Sequence, residues 1–288
     1  QWTAKDTTTE QFTLETGVTY YFDLSAKKAS LGGTANSALP DSTWHYVPFT
    51  YTGTVNAYKL TYTSVSAGPN ASRYAAAATD PAAQYGYCYD HSLFIADRNL
   101  TNNLTYFSMR WGWTHGNGNT LDNGNYQMRM PTGGYGEVNG SSGLFPSSNE
   151  WDQIIRKSGT TDNAAGWIKN WKDNYSYVQD VYYYGNDSSY NIETRGNTSA
   201  LSGTGCSCNY NNVSYGYRPV LEVLNPAAVK TNGGLKAVTL DLNGGTFNGS
   251  TDDIKVVCAG ASFTAPSFTG LTRPANSTTF GFHWNTQA

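Results

Sequence analysis

Short apolar and aromatic runs separated by turn residues are the feature that most limits how this chain can fold. Five runs of five to eight residues, rich in Tyr, Val, Phe and Thr, occupy residues 19–24, 46–50, 58–65, 92–96 and 126–130. β-branched and aromatic residues favour strands, and the Gly, Asn and Ser between the runs favour turns. Residues 112–124 and 131–143 are rich in Gly, Asn and Ser, so we predict long surface loops there.

One helix is indicated by its own start signal. Ser147 stands three residues before Glu150, which is the spacing of a capping box. Three apolar residues then share one face at helical spacing: Trp151, Ile154 and Ile155. We therefore predict a helix over 148–157 with that face in the core. Glu150 and Asp152 are expected to stabilise the helix N-terminus rather than to act in acid-base catalysis.

The chain divides into two predicted units. An apolar strand, 220–224, follows Arg218-Pro219 and is ended by Asn225-Pro226, so we place the first domain at 1–228. The second unit, 236–288, contains strand-like runs at 237–242, 254–257 and 279–284, and Asn243-Gly244-Gly245 predicts a hairpin turn. The calcium-loop alternative at this turn is disfavoured because Thr246 replaces the required glycine.

Charge and composition exclude several functions. The net charge is −3 and no basic cluster exceeds Lys27-Lys28, so nucleic acid is not an expected partner. No apolar run approaches the roughly 18 to 20 residues that cross a bilayer, so we expect no membrane insertion within this sequence. Aromatic residues make up 14% of the chain, with 22 tyrosines, and this favours a β-rich protein on the cell exterior. The start at Gln1 leads us to expect a piece of a longer protein.

The four cysteines do not suggest a disulfide framework or a metal site. They are Cys88, Cys206, Cys208 and Cys258, and Cys206-Ser-Cys208 is tighter than the usual zinc-knuckle spacing. Structural or free thiols are favoured, and a bridge from Cys88 to Cys206 or Cys208 stays open. We predict no metal and no cofactor.

Catalytic motifs are absent from the sequence. There is no Gly-x-Ser-x-Gly elbow for a serine hydrolase and no phosphate-binding Gly-Lys-Ser/Thr. A glycosidase needs only two suitably spaced carboxylates, and the 21 acidic residues neither support nor exclude one. A binding protein is therefore favoured over an enzyme.

Two segments resemble known families. FPSSNEWDQI, then Trp167 and Trp171, then a polar stretch that closes on SYGYRPVLEV, together resemble the C-terminal half of the C-type-lectin-like fold. This fold occurs in formylglycine-generating enzymes, bacterial surface proteins and variable proteins of diversity-generating retroelements. The segment 236–250 resembles the start of a Listeria-Bacteroides repeat, a β-grasp-like module. The resemblance implies an α+β fold with small twisted antiparallel sheets, few helices and long loops.

The resemblance also implies that the irregular stretch before the closing strand presents a ligand surface. Tyrosine and tryptophan offer rigid contact area, and asparagine and serine offer adaptable hydrogen bonds. The predicted ligand-binding residues are Trp171, Asn174, Tyr175, Tyr177, Tyr182, Tyr184, Asn186, Tyr190, Asn197, Asn209, Tyr210 and Asn212. Trp167, Arg218 and Val220 are assigned to the framework. In retroelement variable proteins, mutated adenines turn asparagine codons into codons for Tyr, Ser, Asp or Thr, and residues 172–215 are rich in these types.

These inferences favour a receptor or adhesin-like protein on the bacterial surface, whose partner is a protein or glycan on another cell or phage. A calcium-dependent lectin is disfavoured because the sugar-binding tripeptides Glu-Pro-Asn and Gln-Pro-Asp are absent. The alternatives are a glycan hydrolase or an extracellular enzyme of the formylglycine-generating type, although the spacing of Cys206 and Cys208 departs from that enzyme's cysteine pair. A stalk that spaces another domain from the surface is a third alternative.

Overall fold

The computed structural model describes residues 2–5, 14–40, 42–55, 58–59, 86–87, 90–116, 119–133, 149–156, 170, 173–182, 191–197, 199–224, 235–242, 244–247, 249–251, 254–259 and 270–272. Over these residues the chain is mostly β-sheet with few helices, as the short strand-type runs predict. No helix in this part of the chain is long and apolar enough to cross a bilayer.

The strands are short and numerous. The first ten are β1 (Trp2–Lys5), β2 (Thr19–Phe22), β3 (Thr34–Ala35), β4 (Val47–Val55), β5 (Tyr58–Lys59), β6 (Gly86–Tyr87), β7 (His91–Ala96), β8 (Thr101–Asn102), β9 (Thr120–Leu121) and β10 (Tyr126–Arg129). The remaining ones are β11 (Tyr175–Tyr182), β12 (Asn191–Gly196), β13 (Ser199–Ser207), β14 (Tyr215–Tyr217), β15 (Val220–Val223), β16 (Leu235–Leu240), β17 (Thr246–Phe247), β18 (Ile254–Ala259) and β19 (Leu271–Thr272). The helical segments are α1 (Ser25–Leu31), α2 (Tyr106–His115), a 3-10 turn (Asp122–Gly124) and a π-helical turn (Asp152–Arg156).

The largest sheet of the described residues has nine strands in the order β1-β16-β18-β2-β4-β7-β15-β10-β9. The predicted closing strand is central in it, because β15 pairs antiparallel with both β7 and β10. All four residues of β15 are buried, so both faces of the sheet are covered at this point. This placement makes Val220 a framework residue, and Arg218 beside it is also buried.

Around β7 and β15, two cores cover the two faces of the nine-stranded sheet, since successive strand residues point to opposite sides. On one face, Phe94 and Leu221 belong to an aromatic core that also includes Met109 and Trp113 of α2. On the other face, Leu93, Ile95 and Val220 pack against the π-helical turn and its neighbour Trp151; the apolar residues of this second core are Val55, Leu93, Ile95, Trp151, Ile154, Ile155, Val178, Ala200 and Val220.

A second sheet shares both cores. Among the described residues it has six strands in the order β13-β12-β11-β14-β8-β3. Tyr177 of β11 and Tyr217 of β14 belong to the aromatic core, whereas Val178 belongs to the second core. β11 and β14 run parallel, with Tyr175 opposite Tyr215 and Ser176 opposite Gly216.

Strand positions follow the predicted runs closely, but two helices differ from the prediction. Four of the five runs contain or overlap β2, β4, β7 and β10; within the fifth, the structure describes only β5 at its start. α1 and α2 are corrections to the sequence prediction. α2 continues to His115 and so occupies the beginning of the predicted loop 112–124. The predicted loop at 131–143 lies outside the described residues beyond 133.

The predicted helix at 148–157 is present from Glu150 to Arg156, mostly as a π-helical turn, and its apolar face is buried as predicted. The predicted cap residue Ser147 lies outside the described residues, and the cap contacts that the structure shows involve Asn149. Asn149 Oδ1 accepts a hydrogen bond from the Asp152 amide at 2.9 Å, and Asn149 Nδ2 donates to Asp152 Oδ2 at 2.8 Å. Asn149 and Asp152 therefore form the reciprocal cap. Glu150 does not serve the helix N-terminus, because its carboxylate is bound by Arg129 and His91.

The C-terminal segment pairs into the nine-stranded sheet. β16 pairs with β1 and β18, and β18 runs parallel to β2. The turn before β17 contains Gly244 at φ 78° and a hydrogen bond of 2.8 Å from the Gly245 amide to the Leu242 carbonyl. The turn interpretation of this segment is confirmed. The division at 228 and 236 stays a prediction, and strand pairing runs across it.

Candidate ligand-binding face

A crossover loop connects two strands of the six-stranded sheet and carries most of the exposed part of the candidate site. β12 is antiparallel to both β11 and β13, and β14 is parallel to β11, so β13 and β14 run in the same direction. The connection between them, residues 208–214, must return along the length of the sheet. We call these residues the crossover loop. The Tyr177 hydroxyl lies between two carbonyl oxygens that can accept its proton, that of Leu104 at 3.3 Å and that of Tyr210 at 3.4 Å. The contact with Tyr210 places the loop over β11.

Four tyrosines meet beneath and beside this loop, and we call Tyr175, Tyr177, Tyr210 and Tyr215 the tyrosine cluster. The rings of Tyr175 and Tyr215 are stacked, with centroids 5.3 Å apart and planes 15° apart. Tyr210 meets Tyr215 edge to face at 5.8 Å, and Tyr177 lies 6.0 Å from Tyr215. Parallel pairing of β11 with β14 produces the stack, because it sets Tyr175 opposite Tyr215.

Exposure divides the tyrosine cluster into a buried base and an accessible rim. Tyr177 is fully buried, Tyr175 and Tyr215 are half-buried, and Tyr210 is 47% exposed. Burial raises the pKa of Tyr177 and of Tyr215, which adds to the normal preference of tyrosine for the neutral hydroxyl. The rim is continuous with the aromatic core and therefore rests on a fixed base.

The buried Asn99 binds the start of β11 and lies beside β14. Asn99 Nδ2 donates to the Tyr175 carbonyl at 3.1 Å, and the Ser176 hydroxyl donates to Asn99 Oδ1 at 2.8 Å. The Asn99 side-chain amide also lies against Gly216 of β14. A Cβ added at Gly216 would stand 2.0 Å from Asn102 Oδ1 and 2.6 Å from Asn99 Nδ2. Only glycine fits this position without displacing its neighbours.

The amides near the rim are partly organised before any ligand binds. The Ser214 amide donates to Asn212 Oδ1 at 2.7 Å, and Asn212 Nδ2 donates to the Tyr210 hydroxyl at 3.1 Å. Asn197, at φ 68°, lies in the turn between β12 and β13. This turn is at the Tyr175 end of the sheet, because Tyr175 pairs with Gly196.

Of the twelve predicted ligand-binding residues, six have accessible side chains in this region, one is buried, and the side chains of five lie outside the described residues. Those with accessible side chains near the rim or in the adjoining turns are Asn174, Tyr175, Asn197, Asn209, Tyr210 and Asn212. Tyr177 is a correction: it is a core residue, because it shares the inward-facing side of β11 and the crossover loop covers it. Tyr182 lies in β11, but its side chain is outside the described residues, as are Trp171, Tyr184, Asn186 and Tyr190.

Three accessible residues of this region are absent from the predicted set. By sequence Tyr215 belongs to the closing segment, and only its parallel pairing with β11 places it in the cluster. Val213 is 68% exposed in the crossover loop, and Phe107 is 57% exposed near the start of α2. An isolated valine within Asn and Ser residues is the one local signal for Val213; Phe107 gives none, because the sequence does not predict α2.

Cys206 and Cys208 are free thiols, and both are buried. The bridge from Cys88 to either of them is therefore wrong. Burial raises the pKa of the Cys206 thiol to about 11 and also raises that of Cys208. A reactive thiol needs the opposite shift. Cys206 lies in the aromatic core near Tyr177, where it fills space under the crossover loop.

The strongest charge interactions lie in the second core rather than at the surface. Glu150 Oε1 accepts from Arg129 Nη2 at 2.6 Å and from His91 Nε2 at 2.7 Å, and Glu150 Oε2 accepts from the Thr132 amide at 2.8 Å. Arg129 Nε also donates to Glu222 at 2.9 Å. Burial alone would raise the pKa of Glu150, but the charge and hydrogen bonds of Arg129 and His91 outweigh it and lower that pKa to about 2.

A partly exposed group combines a serine, an aspartate and a histidine in the wrong order for a hydrolase. Asp23 accepts from the Ser25 hydroxyl at 2.6 Å and from His45 Nδ1 at 3.0 Å. In a catalytic triad the histidine lies between the other two residues. Here the carboxylate does, so His45 cannot take a proton from Ser25 directly. Within the described residues, no three His, Cys, Asp or Glu side chains converge to hold a metal ion.

Comparison with known proteins gives no relative for this arrangement. No family model, no curated protein and no solved structure matches the chain.

Proposed function

We propose that this chain is an extracellular ligand-binding module, of the receptor or adhesin type, that binds its partner through the rim of the tyrosine cluster and the crossover loop. The observation that carries the proposal is the stacked pair Tyr175–Tyr215 with Tyr210 at its edge, half-exposed and seated on a buried base. Rigid aromatic rings lose little conformational entropy on binding, which is why they dominate recognition surfaces.

The surrounding groups support recognition rather than catalysis. Apart from the exposed Asp173, the polar groups around the rim are amides and hydroxyls, and these donate and accept hydrogen bonds without an activated nucleophile. The most strongly shifted carboxylate, Glu150, is buried and fully engaged by Arg129, His91 and Thr132. Thiols with a raised pKa likewise do not support an oxidase of the formylglycine-generating type.

We further propose a C-type-lectin-like scaffold that displays a retroelement-diversified surface at the bacterial cell exterior. A central closing strand that begins directly after Pro219, and an irregular loop ahead of it that covers a sheet, are the features that support this scaffold. The β-grasp-like assignment of 236–288 rests on the sequence resemblance. Sequencing the gene's surroundings tests diversification: a reverse transcriptase and a near-copy of the codons for 170–215 that differs at adenines support it. An ordinary locus with an invariant segment contradicts it.

A binding assay on cells tests the ligand-binding proposal. Fluorescent wild-type chain is compared with the triple variant Tyr175→Ser, Tyr210→Ser, Tyr215→Ser on a panel of bacterial and host cells. We expect saturable binding to at least one cell type and its loss in the variant. Leu224→Ser is the control, because Leu224 is 44% exposed just after the end of β15, outside this face. Equal binding by the triple variant would refute the proposal.

A further inference from the structure

Exposed apolar residues of the described chain concentrate around the crossover loop. Within all the described residues, four large hydrophobic side chains are exposed: Phe107 at 57%, Tyr210 at 47%, Val213 at 68% and Leu224 at 44%. Tyr210 and Val213 belong to the loop. Phe107 adjoins it, since the Phe107 amide donates to the Cys208 carbonyl at 3.4 Å. Exposing such groups costs free energy in water, and clustered ones mark interaction sites.

The crossover loop and the two strands that it connects carry no formal charge. From residue 199 to residue 217 the sequence contains no Asp, Glu, Lys, Arg or His. This stretch includes β13, the crossover loop and β14. An uncharged loop cannot itself pair with the sulfates or carboxylates of an acidic glycan or with a strongly charged protein face. The exposed Asp173, beside Asn174 on the β11 side of the face, is negative and also disfavours an acidic glycan.

Resting on the proposed function, we infer that the partner is a protein rather than a glycan, and that its contact surface is uncharged and partly apolar. Val213 and Phe107 are the anchors that separate these two classes. A sugar ring stacks on tyrosine and bonds to amides, but it gains little from an exposed valine on the loop. A protein side chain that buries Val213 and Phe107 removes apolar area from water, and this stabilises the complex.

The contact face therefore extends beyond the rim of the tyrosine cluster to the start of α2. Tyr106, next to Phe107, packs edge to face on Tyr177 at 6.2 Å, so α2 and the crossover loop share one buried support. This common base fixes the position of Phe107 relative to the loop. Preorganised anchors of this kind reduce the entropy lost on association.

A phage-displayed library of random linear peptides, together with an array of neutral glycans, tests the inference. Wild-type chain is the bait in both. We expect enriched peptides with aliphatic and aromatic residues and little net charge, and an affinity for a synthetic enriched peptide that is insensitive to salt. Val213→Ser and Phe107→Ser should each weaken that affinity about tenfold. Leu224→Ser, which removes an exposed apolar side chain elsewhere, should leave it unchanged.

The outcomes separate this inference from the proposed function. If Tyr210→Ser abolishes peptide binding while Val213→Ser and Phe107→Ser have no effect, the extended apolar face is wrong and the ligand-binding rim stands. The same conclusion follows if no peptide is enriched and the wild-type chain instead binds a neutral glycan that Tyr210→Ser no longer binds. If no peptide or glycan binding depends on the tyrosine cluster, both proposals fail. A thermal midpoint for each variant shows that exposed substitutions leave the fold intact.

Discussion

Glu150 should be the carboxylate on which the stability of this fold depends most. In the substitution Glu150→Gln, a neutral side chain replaces the acceptor of both Arg129 Nη groups, at 2.9 and 2.6 Å. The buried Arg129 guanidinium then keeps its ion pair with Glu222 and loses its ion pair with Glu150. Lowering the pKa of Glu150 from 4.5 to about 2 corresponds to about 3 kcal/mol of folding free energy. Removing one partner of a buried pair typically costs about 3 to 5 kcal/mol.

The sign of the pH dependence follows from the direction of that shift. Because the pKa of Glu150 is lower in the folded chain, its contribution is complete above pH 4.5 and is lost as the pH falls toward 2. Urea unfolding followed by tryptophan fluorescence measures the wild type and the variant across this range. We expect a difference of about 3 kcal/mol at neutral pH that shrinks with acidification. A difference below about 1 kcal/mol, or one that does not change with pH, would refute the reasoning. Asp23→Asn is the control, because the ion pair of Asp23 with His45 is partly exposed and should contribute little to the free energy of unfolding.

Three further predictions concern the tyrosine cluster and its support. Tyr177→Ala should lower the free energy of unfolding by about 3 to 5 kcal/mol in urea titrations, because the residue is a fully buried core side chain; a loss below about 1 kcal/mol contradicts its core assignment. Gly216→Ala should cost about 1 to 3 kcal/mol, since its Cβ would overlap Asn102 and Asn99, and adding Asn102→Ala should recover part of this; no recovery argues against the overlap. Cys206 should resist iodoacetamide in the native chain and react after unfolding, as peptide mass spectrometry would show, because burial raises the pKa of its thiol to about 11; rapid native modification contradicts this.

Much of the strand framework could be predicted from local sequence, because short runs of β-branched and aromatic residues between turn residues are a local property of the chain. The runs around β7 and β10 and the closing strand β15 are examples. The two α-helices are harder to predict from local sequence. α1 has seven residues and one buried side chain, Leu31, so its sequence carries almost no periodic signal. α2 contains Gly112 and four aromatic residues, which favour a strand or loop in isolation.

The misassigned residues share a physical cause, which is that distant partners decide their roles. Glu150 fits a capping box by local spacing, yet Arg129, 21 residues away, takes its carboxylate into the core. Tyr177 fits a binding loop by composition, yet the crossover loop folds back over it from the far end of the sheet. Tyr215 enters the site only because β14 lies parallel to β11. None of these contacts can be read from neighbouring residues.

The crossover loop combines a fixed backbone with outward side chains, and this separation bears on how such a surface could vary. Its backbone is held at both ends and in the middle: the Phe107 amide donates to the Cys208 carbonyl, the Tyr177 hydroxyl to the Tyr210 carbonyl, and the Tyr175 amide to the Ser214 carbonyl at 2.9 Å. These three bonds use no side chain of residues 209–214, whereas inside the loop the Asn212 side chain accepts from the Ser214 amide at 2.7 Å. Substitutions of the loop residues other than Asn212 change the contact surface without removing these bonds, whereas substitutions at Tyr177 or Gly216 act on the support itself. A binding surface that changes its partner while keeping its fold requires this division of roles.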